Sequence, residues 1–213
     1  VNQRIVEPEL LDHLPHHDPA ARRARADLRR INFLMGNERW ILRSLDLIPP
    51  AAAHAICEIG AGDGALTAKI RRRFPASQVS ACDLAPRPAG LDAAITWHQG
   101  DILRQAPPAG GVLVANLFLH HFEGPALRDL SRLCANCQAL VFNEPDRSRR
   151  AAVLGGLLHP FVNHVTRHDM QTSIRAGFSS GEIPALAGLN PAHWHIRETS
   201  TWRGARRVIA WRA

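Results

Sequence analysis

Three groups of residues in this 213-residue chain have types and spacings suited to chemistry. The first is Glu58-Ile59-Gly60-Ala61-Gly62-Asp63-Gly64. Its glycines allow a sharp turn and let a ligand approach without a Cβ in the way. Amides at the start of a following helix suit a carboxylate or other anion, and Glu58 suits an ammonium while repelling a pyrophosphate. The second group is acidic. Asp83, with Leu84 beside it, stands about 20 residues past the loop, where a carboxylate takes the hydroxyls of a ribose. Asp101 and Ile102 follow Gly100 after a further apolar run. The third group is Asn116-Leu117-Phe118-Leu119-His120-His121-Phe122, with Glu144 further on. Histidine exchanges a proton near neutral pH. A helical turn after Asn116 places Asn116 and His120 four apart on one side, making His120 the first catalytic candidate and His121 the second. Either histidine reads equally well as a side chain that fills space or bonds the backbone. Glu144 reads as a substrate contact or as an acid favoured by a helix start. Arg167 and His168 are further substrate candidates.

Certain elements must position these groups. His54–Glu58 is predicted as a buried strand stopping at the glycine loop, and Leu66, Ile70 and Phe74 as the stripe of the next helix. Gln78–Leu84, Ile95–His98, Val112–Asn116 and Ala139–Phe142 continue as strands, with a helix carrying Leu127, Leu130 and Leu133 before the last. Strands alternating with helices imply parallel crossover units and a doubly wound sheet. The end of the chain differs. Residues 148–176 are predicted helical, with Asp169 as a cap and Gly177 as a stop. Trp194–Ser200 and Arg206–Trp211 then form strands whose short link allows only an antiparallel hairpin. Ahead of all this, residues 1–50 are predicted as a helical extension. Asp18-Pro19 opens one helix carrying Leu28, Ile31 and Met35, Gly36 stops it, and Asn37 caps a second that ends at Pro49-Pro50. The expected domains are therefore 1–50 and 51–213.

The pattern Gly60-x-Gly62-x-x-Ala65 also fits a dinucleotide fingerprint. Glu58 argues against that ligand, as does the whole layout. A parallel sheet finished by an antiparallel pair, with Gly100-Asp101-Ile102 and Leu119-His120-His121-Phe122 after the third and fourth strands, resembles class I S-adenosylmethionine-dependent methyltransferases of the small-molecule type. The resemblance implies an α/β, Rossmann-like seven-stranded sheet. It places S-adenosylmethionine on Glu58, Gly60, Ala61 and Gly62 through the methionine part, on Asp83 and Leu84 through the ribose, and on Asp101 and Ile102 through the adenine, with Asn116 beside the methyl. The segment from Asn163 to Phe178 resembles poorly characterised bacterial methyltransferases, some encoded beside polyketide synthases. The implied reaction is methyl transfer to oxygen or carbon of a small, phenolic or polyketide-like acceptor. The alternatives are an RNA methyltransferase, a non-catalytic cofactor-binding protein and an NAD-dependent enzyme. Asn116 is followed by Leu117-Phe118, not by the Pro-Pro-aromatic of enzymes that methylate exocyclic amines of bases.

Bulk properties set the outer bounds. An apolar fraction of 46% builds a core and excludes disorder. No run of about 18 apolar residues occurs, and the first residues have no signal-peptide pattern, so a cytoplasmic protein is expected. The formal charge of +7 favours an anionic partner, although the arginines are scattered and read mainly as solvated helix faces. Cys134-x-x-Cys137 lacks the second pair a structural zinc site needs, and no paired acids indicate a catalytic magnesium. No metal is expected.

Overall fold

The computed structural model describes residues 3–15, 17–50, 52–104 and 111–213. Helices α1 (Leu10–His13), α2 (Pro19–Met35) and α3 (Asn37–Leu45) precede the sheet. Strand β1 (Ala55–Ile59), helix α4 (Ala65–Arg73), and strands β2 (Gln78–Asp83), β3 (Thr96–Gln99) and β4 (Val112–Asn116) follow. Next come α5 (Gly124–Ala135), β5 (Ala139–Pro145), α6 (Arg149–Leu158), α7 (His164–Ala176), α8 (Glu182–Leu186) and the hairpin β6 (Trp194–Ser200) and β7 (Ala205–Arg212). The seven strands lie in the order β3-β2-β1-β4-β5-β7-β6. β1 to β5 pair in parallel, while β7 runs antiparallel to both β5 and β6.

The central strands are apolar because both faces are covered. Every residue of β1 and β5 is buried. One apolar cluster holds Ile59, Leu113, Leu140 and Phe142 against Leu130 of α5 and Ile183 of α8. The other holds Ile56, Val114 and Val141 against Ile41 of α3 and Ile70 of α4. The chain of alternate side chains along each strand feeds these two clusters in turn. β5 runs three residues past the predicted end at Phe142, because Asn143, Glu144 and Pro145 pair with β7 in register.

The helical extension follows its expected caps with one change. Asp18 accepts from the amides of Ala20 and Ala21, and Gly36 closes α2 in the left-handed conformation. Gly36, not Asn37, then caps α3; Asn37 is buried, donating to Asn32 Oδ1 and accepting from Arg207. On α2 the fully buried positions are Ala21, Ala24 and Asp27, whereas Leu28, Ile31 and Met35 are only half covered. Small residues let α2 approach α7 closely, and Asp27 Oδ2 accepts from the backbone N–H of Asn163 at 3.0 Å. Asn163, not Asp169, caps α7 by accepting from Thr166 N. Asp169 instead sits mid-helix, and its two oxygens cap α1 by accepting from Leu10 N at 2.7 Å and Leu11 N at 3.0 Å. The family of elements ahead of β1 therefore packs onto the C-terminal half of the chain. No helix among the described residues is long and apolar enough to cross a membrane.

Replacing Asp27 with Ala takes the acceptor from the half-buried Asn163 amide, which costs about 0.5–1.5 kcal/mol. Urea unfolding of Asp27→Ala should show a loss in that range. A loss below about 0.5 kcal/mol, the noise of an ordinary surface substitution, contradicts this account of how α2 holds α7.

Candidate active site

The sheet order reverses between β1 and β4, and open parallel sheets bind ligands at the carboxyl ends of the strands at such a point. The glycine loop leaves β1 there. Gly60 N and Ala61 N donate to Cys82 O at the end of β2, and Gly62 N donates to Asp83 Oδ2 at 2.7 Å. Asp83 Oδ1 accepts from Ala85 N at 2.8 Å. Loop, β2 end and following turn thus share one carboxylate. Gly60, at φ 66°, lies under the ring of Phe118, and a Cβ there would stand 2.1 Å from a ring carbon. At Gly62, φ is 56° and a Cβ would meet nothing within 4 Å. The loop is therefore roofed at Gly60 and open at Gly62.

Glu58 lies beneath the loop, buried, with its carboxyl accepting from the Thr67 hydroxyl of α4. Burial raises its pKa to about 8, the Thr67 hydrogen bond opposing only part of the rise. Leu84 is 74% exposed at the mouth. Asp101 is half-buried, and its Oδ1 accepts from Leu103 N at 2.9 Å. Ile102, expected to cover a ring, is buried in the core instead, because the turn after Asp101 aims it inward.

On the β4 side the expected helical turn does not begin at Asn116. Leu117 adopts φ 55°, and a 3-10 turn starts only at Leu119–His121. Asn116 and His120 therefore do not share a helical face. Asn116 Oδ1 accepts from Asn143 Nδ2 at 2.9 Å. A left-handed leucine is strained, and the strain is held by Glu144. Fully buried, Glu144 accepts through Oε1 from Phe118 N and Leu119 N, each at 2.9 Å, and through Oε2 from His120 N at 3.3 Å. The same Oε2 is 2.8 Å from His120 Nδ1. Glu144 was expected to face substrate. Its oxygens are instead bonded to this turn and to the ring of His120, whose orientation they fix.

His120 is itself buried, with Glu9 Oε1 3.5 Å from its Nε2. Burial pushes its imidazolium pKa down, but the bonds to Glu144 and Glu9 prevail and hold it at about 9. Glu9 in turn is kept low: burial raises it, and His120 outweighs that. The ring of His121 lies 4.3 Å from that of His120, with Asp12 3.9 Å from its Nδ1. Arg4 Nη2 donates to His120 O at 2.9 Å. Arg167 and His168 lie exposed on α7, bonded only locally, to Val162 O at 3.1 Å and Asp169 Oδ1 at 3.0 Å. The structure brings together Glu58, Gly60, Ala61, Gly62 and Asp83 on one side and His120, His121 and Glu144 on the other. It leaves Arg167 and His168 outside. Sequence reasoning missed Thr67, the roof formed by Phe118, and above all Glu9, which no local pattern links to a histidine more than a hundred residues away.

A family match and several relatives bear on this geometry. The O-methyltransferase domain family matches residues 25–141. An uncharacterized methyltransferase of Mycobacterium tuberculosis is 34% identical over 87 residues, covering 37% of this chain and 43% of the relative. Acetylserotonin O-methyltransferase of Mus musculus is 28% identical over 135 residues, covering 54% of this chain and 34% of the relative. The chain thus spans less than half the length of these curated relatives. Among solved structures, the plantazolicin methyltransferase BpumL, in complex with a triazolic desmethylPZN analog and SAH, superposes with a TM-score of 0.71 at 11% identity over 92% of each chain. Human N-acetylserotonin methyltransferase in complex with SAM gives 0.57 at 16% identity, covering 94% of this chain and 60% of that one. These likenesses show the same fold, and the family match spans the glycine loop, Asp83 and the turn bearing His120. The chain belongs to the O-methyltransferase domain family, within the class I S-adenosylmethionine-dependent methyltransferases.

Proposed function

We propose that this chain transfers a methyl group from S-adenosylmethionine to an oxygen atom of a small hydroxylated molecule, of phenolic or polyketide-like type. One observation carries the reading. His120 follows β4, where the sheet order reverses, with Nδ1 held by buried Glu144 and Nε2 facing Glu9, and Nε2 is the nitrogen we assign to proton transfer once Glu9 moves aside. Carbon acceptors of the enol kind have the same need for a base, and the family favours oxygen.

The residues present fit the cofactor. A carboxylate offers about four acceptor positions, and Asp83 uses one for Gly62 N and one for Ala85 N, leaving two for the ribose hydroxyls. The open face of Gly62 admits the methionine part, whose ammonium Glu58 neutralises. Asp101, whose Oδ2 lies 3.5 Å from the exposed Arg104 Nε, would take the adenine amine, and exposed Leu84 would cover the ring. Ile102 supports that surface from the core. S-adenosylmethionine, when bound, supplies an electrophilic methyl on its sulfonium.

The chain's own part is positioning and proton transfer. Glu144 holds His120 through Nδ1; the proton that Glu144 and Glu9 keep on the ring leaves to solvent as Glu9 withdraws, and Nε2 then takes the acceptor's proton, Glu144 stabilising the imidazolium so formed. Glu9 stands before that same nitrogen, so the acceptor hydroxyl reaches it only as Glu9 withdraws. The strap bearing Glu9, residues 3–13, lies over His120, whose side chain is buried.

Labelled methyl transfer to a panel of small hydroxylated acceptors tests the function. His120→Ala should lower kcat by about 10²–10⁴-fold while S-adenosylhomocysteine binds as before. A full rate in that variant removes His120 from the reaction, and a panel without any acceptor in the wild type counts against the oxygen reading. Glu58 gives a second, independent check. With a pKa near 8 it is mostly protonated at pH 7. An arriving ammonium favours the ionised form, lowers that pKa and expels a proton. Calorimetry of S-adenosylhomocysteine binding at pH 7, in buffers of different ionisation enthalpy, should report release of nearly one proton. Glu58→Gln should abolish it. Proton uptake, or none, shows that Glu58 does not meet the ammonium.

A further inference from the structure

At the seam between residues 3–13 and the turn after β4, the side chains of Glu9, His120 and His121 bring one donor atom each close together. The three atoms lie within 4.8 Å of one another, and no other such group of His, Cys, Asp and Glu occurs among the described residues. We propose that these three residues form a binding site for a divalent transition-metal ion of the zinc type, which fastens the strap to the turn.

The spacing leaves room for a metal where a simple ion pair would close further. A charge-assisted N–H···O bond closes to about 2.7–2.9 Å, yet Glu9 Oε1 and His120 Nε2 stand 3.5 Å apart. Two ligands each about 2.0–2.1 Å from one tetrahedral zinc lie about 3.3 Å from each other. The supporting contacts also have the pattern of a metal site. Ligating histidines usually give their other ring nitrogen to a carboxylate, and Glu144 Oε2 takes His120 Nδ1 at 2.8 Å. The Ser173 hydroxyl donates to Glu9 Oε1 and orients it.

The strap is held in place independently of any metal. Asp169 caps α1 immediately after Glu9, Ile5 N donates to Arg175 O, and Arg4 binds His120 O and Ala176 O. Charge is favourable as well, since Glu9, Glu144 and Asp12 surround two imidazoles. Two nitrogens and one carboxylate oxygen select zinc, cobalt or nickel over magnesium or calcium. His121, with 32% of its side chain exposed, opens the site to solvent. A metal on Nε2 occupies the lone pair needed for proton transfer, so it would inhibit methylation. That consequence alone rests on the function proposed above.

The test titrates chelator-treated full-length protein with Co²⁺, read by the visible absorption of tetrahedral cobalt, and with Zn²⁺ by calorimetry. One ion per chain is expected, with Zn²⁺ displacing Co²⁺. Glu9→Gln and His121→Ala should each weaken binding at least tenfold, and Zn²⁺ should raise the Tm of the wild type but not of the near-isosteric Glu9→Gln. Failure to saturate at one ion, or affinity untouched by both substitutions, overturns the proposal. No methyl donor is present in these titrations, so a failure of the cofactor reading leaves their outcome unaffected.

Discussion

The carboxylate of Glu144 is the interaction on which the reactive half of this crevice depends. An ionised group without water costs several kcal/mol unless its lone pairs are taken up, and here three backbone amides and an imidazole take them. The dependence runs both ways. Without the carboxylate, the amides of Phe118, Leu119 and His120 lose their acceptor, and only the bond from Leu117 N to Asn143 O at 2.8 Å still holds the left-handed Leu117. β5 supplies Glu144 at a position fixed by pairing with β4 on one side and β7 on the other. The antiparallel pair closing the sheet therefore reaches into the site. Glu144 stands opposite Arg206 of β7, and Arg206 is itself bound to Asp146 at 2.5 Å. The end of β5 cannot fray without losing that bond too.

Across the crevice the design is different. Among the described residues the glycine loop carries no fixed ion pair of comparable depth, and Glu58 has no cationic partner. Its burial raises its pKa into the range where a proton is exchanged on ligand binding. One side of the crevice is thus electrostatically complete, and the other is completed by what it binds. Rigid positioning belongs where a proton must be taken in line. An uncompensated acid belongs where an ammonium must be recognised. Phe118 joins the two sides, its backbone amide on Glu144 and its ring on Gly60.

Much of the fold was legible in the sequence because its cause is local. Apolar runs broken by helical stripes gave all seven strands, and the five-residue link Thr201–Ala205 forced the hairpin. The glycine loop and Asp83 were legible for the same reason, since strand, turn and helix follow one another directly. What escaped depends on contacts between distant segments. Asp169 looks like a cap, and it is one, but for α1 and not for its own helix. Glu144 looks like a substrate acid until the turn it holds is seen. Asn37 was displaced as a cap by Gly36, whose left-handed backbone ends one helix and begins the next. Ile102 has the right type for a ring contact, but the direction of its side chain is set by a turn that composition does not encode.

Glu9 is the extreme case, and it shapes how the site must work. Between Glu144 and Glu9, His120 is covered on both nitrogens, so no acceptor can meet it while the strap lies down. The cluster is not short of positive charge, since the His120 ring lies between the two carboxylates and Arg4 Nη2 donates to His120 O at 2.9 Å. In the mechanism proposed above, withdrawal of Glu9 is the step that prepares His120 to accept a proton. Once that carboxylate leaves, the imidazolium loses one of the two anions that hold its proton, and burial, which opposes the charged form, gains weight. On the function proposed above, opening this segment would admit the acceptor and ready the base in one motion.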